Sequence, residues 1–168
     1  IHTYVRLSLS RNGSVLAIGV GDGVRFISAA GDTMGFAGKA HLSDIRLMAI
    51  SPDGKIAASA SDDLTVKFWQ TEGASFLGGI GFKQEITALE FSQDGVNLAI
   101  AHGDEVDLFS VNSREKLLTL TIPGSKIHCM EFSPDGQILA TGGESADHKG
   151  ELYFWDAGAQ PANRIQPE

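Results

Sequence analysis

The chain has one cysteine, Cys129, in 168 residues, so it forms no internal disulfide. Its fold rests on packing and hydrogen bonds, and the cysteine count leaves the compartment open. No apolar run approaches the roughly 18 residues that a membrane-spanning helix needs, and no signal-peptide pattern is visible. The 13 lysines and arginines are scattered among 21 acidic residues, for a net charge of −8. A nucleic-acid surface needs a basic patch or stripe, so neither a nucleic-acid nor a membrane partner is expected. The five histidines, His2, His41, His102, His128 and His148, stand at no metal-ligand spacing. There is no Gly-x-Ser-x-Gly elbow. The run Gly19 to Gly23 joins two strand-like segments and opens no helix, so it is not a phosphate loop. His128 and Cys129 are neighbours on a strand-like segment, which points them to opposite faces. Cys129 is therefore expected to be a small buried core residue and not half of a catalytic pair. Catalysis, a cofactor and a metal site are not expected. The chain begins at Ile1 and not at methionine, from which a longer natural protein is expected.

What is abundant is glycine, 20 residues, and it is placed regularly. The signature Ser-x-x-Gly occurs at Ser10–Gly13, Ser51–Gly54, Ser92–Gly95 and Ser133–Gly136, each copy 41 residues after the last. A period of that length is the mark of one supersecondary unit used repeatedly. Before each turn the apolar positions match: Tyr4, Leu7, Leu9; Ile45, Met48, Ile50; Ile86, Leu89, Phe91; Ile127, Met130, Phe132. The last two of each set alternate as a half-buried strand requires. The first lies three residues before the second, which predicts a β-bulge between them. A second strand rich in small residues follows each turn, as in Ile56–Ser59 and Ile138–Thr141, and then a third, as in Val66–Trp69 and Leu152–Trp155. A weaker fourth strand is expected around Phe36, around Phe76 and Leu77, from Leu117 to Ile122, and near Ile165. Such a sheet is apolar on both faces and has to stack against neighbours.

These motifs resemble the WD-repeat β-propeller family. The second copy carries most of the likeness, with His41, Ser51-Pro52-Asp53-Gly54, Ser59 to Asp63 and Val66-Lys67-Phe68-Trp69. The fourth adds Ser133-Pro134-Asp135-Gly136 and Trp155-Asp156. The resemblance implies an all-β propeller of four-stranded antiparallel blades, near residues 1–40, 41–82, 83–123 and 124–168, as one domain or part of one. It also implies a His–Ser–Asp–Trp hydrogen-bond set at His41, Ser59, Asp63 and Trp69. Copies one and three have Ile27 and Phe109 in place of tryptophan and Ile18 and Ile100 in place of the hydroxyl, so they are expected to rely on packing alone.

The resemblance further implies a non-catalytic scaffold that binds a protein or peptide through the loops of one face. By position that face comprises Thr3, Val5, Asp44, Arg46, Asp62, Glu85, Thr87, Gly103, Lys126 and His128. The long loop 144–150 in the fourth copy adds Asp147 and His148, since long loops on a rigid scaffold often carry function. An accessory domain of a larger enzyme or signalling protein, or a self-assembling half-propeller, are the other readings. Rings of this repeat usually hold about seven or eight blades, turning about 45–50° per blade, where four would need about 90°. The four copies are then half of an eight-bladed ring closed by two chains, or a fragment of a longer propeller.

Overall fold

The computed structural model describes residues 5–157 and the backbone of 164–165. Thr3 and Tyr4, and positions 158–163 and 166–168, lie outside the described residues.

The recurring signature makes the same turn each time. The glycine N–H donates to the serine carbonyl at 2.8–2.9 Å in all four copies, and each glycine has φ between 70° and 78°. That left-handed conformation suits glycine because a Cβ would crowd the backbone. The serine hydroxyl accepts the N–H of Val15, Ile56, Asn97 and Ile138 in turn. The acidic third residue accepts both the serine hydroxyl and an N–H two residues on, as Asp53 does from Ser51 and Lys55. Asn12 takes this place in the first copy.

Each turn joins the first two strands of a four-stranded antiparallel meander, and the described residues hold four of these. Blade 1 comprises β1 (Val5–Leu9), β2 (Val15–Val20), β3 (Gly23–Ser28) and β4 (Thr33–Ala37). Blade 2 comprises β5 (Ile45–Ile50), β6 (Ile56–Ser61), β7 (Thr65–Gln70) and β8 (Ser75–Gly81). Blade 3 comprises β9 (Ile86–Phe91), β10 (Asn97–His102), β11 (Glu105–Ser110) and β12 (Lys116–Thr121). Blade 4 comprises β13 (Ser125–Phe132), β14 (Ile138–Ser145), β15 (Gly150–Asp156) and the short β16 (Arg164–Ile165). The expected bulge is present in β5, where Arg46 is the extra residue, and in β13, where it is His128. The fold is an all-β arrangement of four propeller blades.

The chain divides into two compact units, residues 1–86 and 87–168. In the first, Val15, Ala17, Val24 and Phe26 of blade 1 share a core with Ile45, Ile50, Ala57 and Trp69 of blade 2. In the second, Ala99, Val106 and Leu108 of blade 3 share a core with Ile127, Met130, Phe132, Leu139 and Trp155 of blade 4. Each large apolar side chain buried in this way contributes about 1.5–3 kcal/mol. Phe26, Val24, Val66 and Phe68 are fully buried, as positions in the middle strands should be.

Cys129 departs from expectation. It is exposed, not buried. The bulge interrupts the alternation at His128, and Cys129 falls in the row with Gly142 and Leu152, on a blade 4 face that no blade of its own unit covers.

The tightest approach between blades in the first unit is at Gly35. A Cβ there would run into the backbone of Gly73 and Ala74, in the 3-10 turn Glu72–Ala74 after β7. Gly35→Ala should therefore destabilise the chain by about 1–3 kcal/mol in urea unfolding. Gly81→Ala, whose methyl would meet nothing within 4 Å, should cost under about 0.5 kcal/mol. Equal effects would contradict this packing.

Candidate partner-binding face

The loops at one end of blade 2 are built on a buried hydrogen-bond chain. Trp69 Nε1–H donates to Ser59 Oγ at 2.9 Å, and Ser59 Oγ lies 2.7 Å from His41 Nε2. His41 Nδ1 stands 3.0 Å from Asp63 Oδ2. Proton bookkeeping fixes the directions. The ionised Asp63 can only accept, so the neutral imidazole carries its hydrogen on Nδ1 toward the carboxylate, and its bare Nε2 accepts the Ser59 proton while Ser59 Oγ accepts from the indole. Burial lowers the pKa of His41 against the pull of Asp63, so the ring is neutral near pH 7. Burial alone would raise Asp63. The hydrogen bonds from Thr65 and the Leu42 N–H, and the nearby His41, overcome this and hold it at about 2.

Asp63 thereby fixes two loops at once. Its carboxylate accepts the Leu42 N–H at 2.9 Å, the Thr65 N–H at 3.0 Å and the Thr65 hydroxyl at 2.6 Å. The Asp62 N–H donates to the Asp44 carbonyl, and the Ser61 hydroxyl to the Ser43 carbonyl. The result is that Leu42, next to fully enclosed His41, is 94% exposed. Arg46, placed by the bulge, meets Asp62 with Nε at 2.8 Å and Nη2 at 2.6 Å. Asp62, a residue of the expected face, is half of this ion pair. Asp44, Arg46 and Asp62 are thus brought together, and sequence reasoning missed Leu42.

Among the other expected residues of the first unit, Val5 is exposed at the start of β1 and Glu85 is exposed ahead of β9. Thr3 lies outside the described residues.

In the second unit, a residue not singled out from the sequence gathers the others. Glu144 Oε1 lies 3.6 Å from His128 Nε2, and Oε2 lies 3.7 Å from His148 Nδ1. Glu144 also pairs with Lys126 across the strands. Asp147 receives the Ser145 hydroxyl and Lys149 Nζ, which close the loop on itself. Glu144 thus brings His128 and His148 together, with Lys126 opposite it in the strand register and Asp147 in the adjoining loop. This does not form a group able to hold a metal ion among the described residues. The Gly103 carbonyl accepts the Ile127 N–H, and Thr87 donates weakly to the Ala101 carbonyl at 3.5 Å.

Blades 3 and 4 solve the polar problem differently. Blade 4 keeps the Trp155 Nε1–H to Thr141 bond at 3.1 Å, while Ser125, where blade 2 has histidine, donates to Glu151. Blade 3 does not rely on packing alone. Its Asp107 is 3% exposed and accepts from Thr119, from Lys116 Nζ at 3.3 Å and from His102 Nε2 at 3.1 Å. A buried carboxylate needs such donors, and three from neighbouring strands supply them.

Comparison with known proteins agrees with this construction. Residues 36–70 and 114–156 match the family model described as WD domain, G-beta repeat. The chain belongs to the WD-repeat family. It is 32% identical over 111 residues to the small ribosomal subunit protein RACK1 of Schizosaccharomyces pombe, covering 61% of this chain and 35% of that one. It is 32% identical over 123 residues to pre-mRNA-processing factor 19 of Caenorhabditis elegans, covering 70% of this chain and 24% of that one. It is 27% identical over 120 residues to the serine-threonine kinase receptor-associated protein of Mus musculus, covering 71% and 33%. The chain thus spans about a third or less of the length of these WD-repeat relatives. Such proteins typically serve as protein-interaction scaffolds.

The WD-repeat hydrogen-bond chain of blade 2 has a pH signature. Because the folded His41 pKa is lowered, the unfolded chain takes up a proton below its ordinary value near 6.5 that the folded chain resists. The stability from neutral His41 is full above that value and declines as pH falls. The stability loss in His41→Gln, about 2 kcal/mol near pH 7.5, should therefore shrink toward pH 5. Urea midpoints of both proteins across this range check it, and a constant difference would contradict the neutral, buried ring.

Proposed function

We propose that this WD-repeat chain is a non-catalytic scaffold that holds a protein or peptide partner on its blade-end loops. The observation that carries this is the mounting of Leu42. It is almost wholly exposed, yet its backbone is fixed by Asp63, the same carboxylate that closes the buried chain to Trp69. An apolar side chain held out from a rigid base loses little freedom when it is covered, so its burial is not spent on ordering a loop. The paired Arg46 and Asp62 beside it offer a polar rim of both signs. The names of two WD-repeat relatives, the serine-threonine kinase receptor-associated protein and a p21-activated protein kinase-interacting protein, state that they associate with other proteins, which supports a protein partner here. The loop cluster around Glu144 is a second contact region in its own unit.

The test is affinity capture with the immobilised chain, read by quantitative mass spectrometry against Leu42→Ala, Arg46→Ala and a shortened 144–150 loop. Recovery of a specific partner should fall about tenfold or more in at least one variant, as for a buried anchor. Unchanged recovery with all three would reject this face.

A further inference from the structure

The junctions of blades 1 and 2 and of blades 3 and 4 use the same repeat positions, but only the first is closed at its turn end. There the turns of blades 1 and 2 touch. The Asn12 N–H donates to the Pro52 carbonyl at 3.2 Å, and Asn12 Nδ2 donates to the Asp53 carbonyl at 3.1 Å. Gly54 is buried against Ser14 and Val15, and a Cβ there would come within 2.9 Å of Ser14 Oγ. Thr71 seals the edge, its hydroxyl donating to the Gly54 carbonyl at 2.7 Å.

In the second unit each of these contacts has lost its donor or its filler. Two repeats on, Asn12 becomes Asp94, whose carboxylate can only accept. The carbonyls of Pro134 and Asp135 receive no hydrogen bond from it among the described residues. Val15 becomes Asn97, a half-buried amide at the gap. Ala157 stands where blade 2 has Thr71, the two N–H groups donating alike to Gln137 and Lys55, but it has no hydroxyl to give the Gly136 carbonyl. A Cβ on Gly136 would meet nothing within 4 Å. The result is a cavity of about 290 Å3 between the β9–β10 and β13–β14 turns. Sites for drug-sized ligands run from about 300 to 1,000 Å3, so this one suits a single extended side chain.

The lining states the chemistry of the occupant. Asp94 comes from one turn and Asp135 from the other, while Leu108, Phe132 and Ala157 supply an apolar wall. One oxygen of each carboxylate is held by its own turn. Asp94 Oδ1 accepts the Ser92 hydroxyl and the Val96 N–H, and Asp135 Oδ1 accepts the Ser133 hydroxyl and the Gln137 N–H. These bonds lower both pKa values, so both groups are anionic at neutral pH. Oδ2 of each has no hydrogen bond among the described residues, and no lysine or arginine lines the cavity. What the junction lacks is a planar, positively charged N–H donor on an apolar stem. We propose that this cavity binds the arginine side chain of a protein or peptide partner. The guanidinium takes the bridging place that the Asn12 amide fills in the first unit, and the methylene stem lies on Leu108, Phe132 and Ala157. An ammonium is a point charge without the fork that spans two turns. A free amino acid fits poorly, because the lining offers no cation for its carboxylate. Leu42 and the 144–150 loop lie at the opposite strand ends of their blades, so this site stands apart from the function proposed for the loops.

The test titrates acetyl-arginine methylamide into the isotope-labelled full chain and follows its amide NMR shifts. Saturable shifts should centre on residues 92–97 and 133–137. The matching lysine and citrulline compounds should bind at least about tenfold more weakly, since one lacks the fork and the other the charge. Asp94→Asn should weaken binding by about tenfold or more. Its turn should stay intact, because Asn12 makes the same turn in the first copy. Ala157→Thr leaves both charges in place and restores the sealing hydroxyl of blade 2, so it should weaken binding independently of Asp94. Asp53→Asn, in the closed junction, should change nothing. Shifts that are absent or lie elsewhere would overturn the proposal. So would equal binding of the lysine or citrulline compound, tighter binding of free arginine than of the blocked compound, or full binding by both Asp94→Asn and Ala157→Thr.

Discussion

A four-stranded blade with apolar side chains on both faces has to be covered on both, and every other feature of this protein follows from that requirement. The small second-strand residues, such as Ala17, Ala57 and Ala99, let neighbouring sheets approach. The large first- and third-strand residues, such as Ile50, Phe132, Trp69 and Trp155, fill the space between them. Gly35 and Gly54 mark places where the approach leaves almost no room for a Cβ, with Gly54 lying against Val15 and Ser14. The loops at the strand ends inherit their rigidity from this stacking.

Burying a sheet also buries whatever polar groups it carries, and each blade satisfies them with a different set. Blade 2 uses the chain from Trp69 through Ser59 and His41 to Asp63. Blade 3 concentrates three donors on Asp107. Blade 4 keeps one indole–hydroxyl bond. No buried side-chain nitrogen or oxygen of the described residues is left without a partner. In blade 2 the Asp63 carboxylate that ends the chain is also the group that fixes Leu42 and the turn bearing Asp62.

The blades were legible because their turns are specified locally. Serine, an acidic residue and glycine at fixed offsets make the same hydrogen bonds wherever they occur, and the three-residue step before each strand announces the bulge at Arg46 and His128. The hydrogen-bond set at His41, Ser59, Asp63 and Trp69 was legible through the family resemblance. What the sequence hid depends on contacts between segments far apart in the chain. Asp107 reads as a solvent-facing strand residue until Thr119 and Lys116 are brought across from the next strand. Glu144 gains meaning only when the sheet sets it beside His128. Leu42 is one apolar residue in a loop, and only the bond from its N–H to Asp63 shows that it is held outward. Cys129 was misjudged because burial depends on which faces are covered, and strand alternation does not report that.

The central claim is that the buried hydrogen-bond chain of blade 2, through Asp63, fixes the loop that carries Leu42. Amide hydrogen exchange of the natural chain and of Asp63→Ala tests it most directly. The account predicts that the Leu42 and Thr65 N–H groups, which Asp63 accepts, exchange faster in Asp63→Ala, and that the strands of blade 3 are unchanged. Leu42 exchange that is the same in both proteins would contradict it.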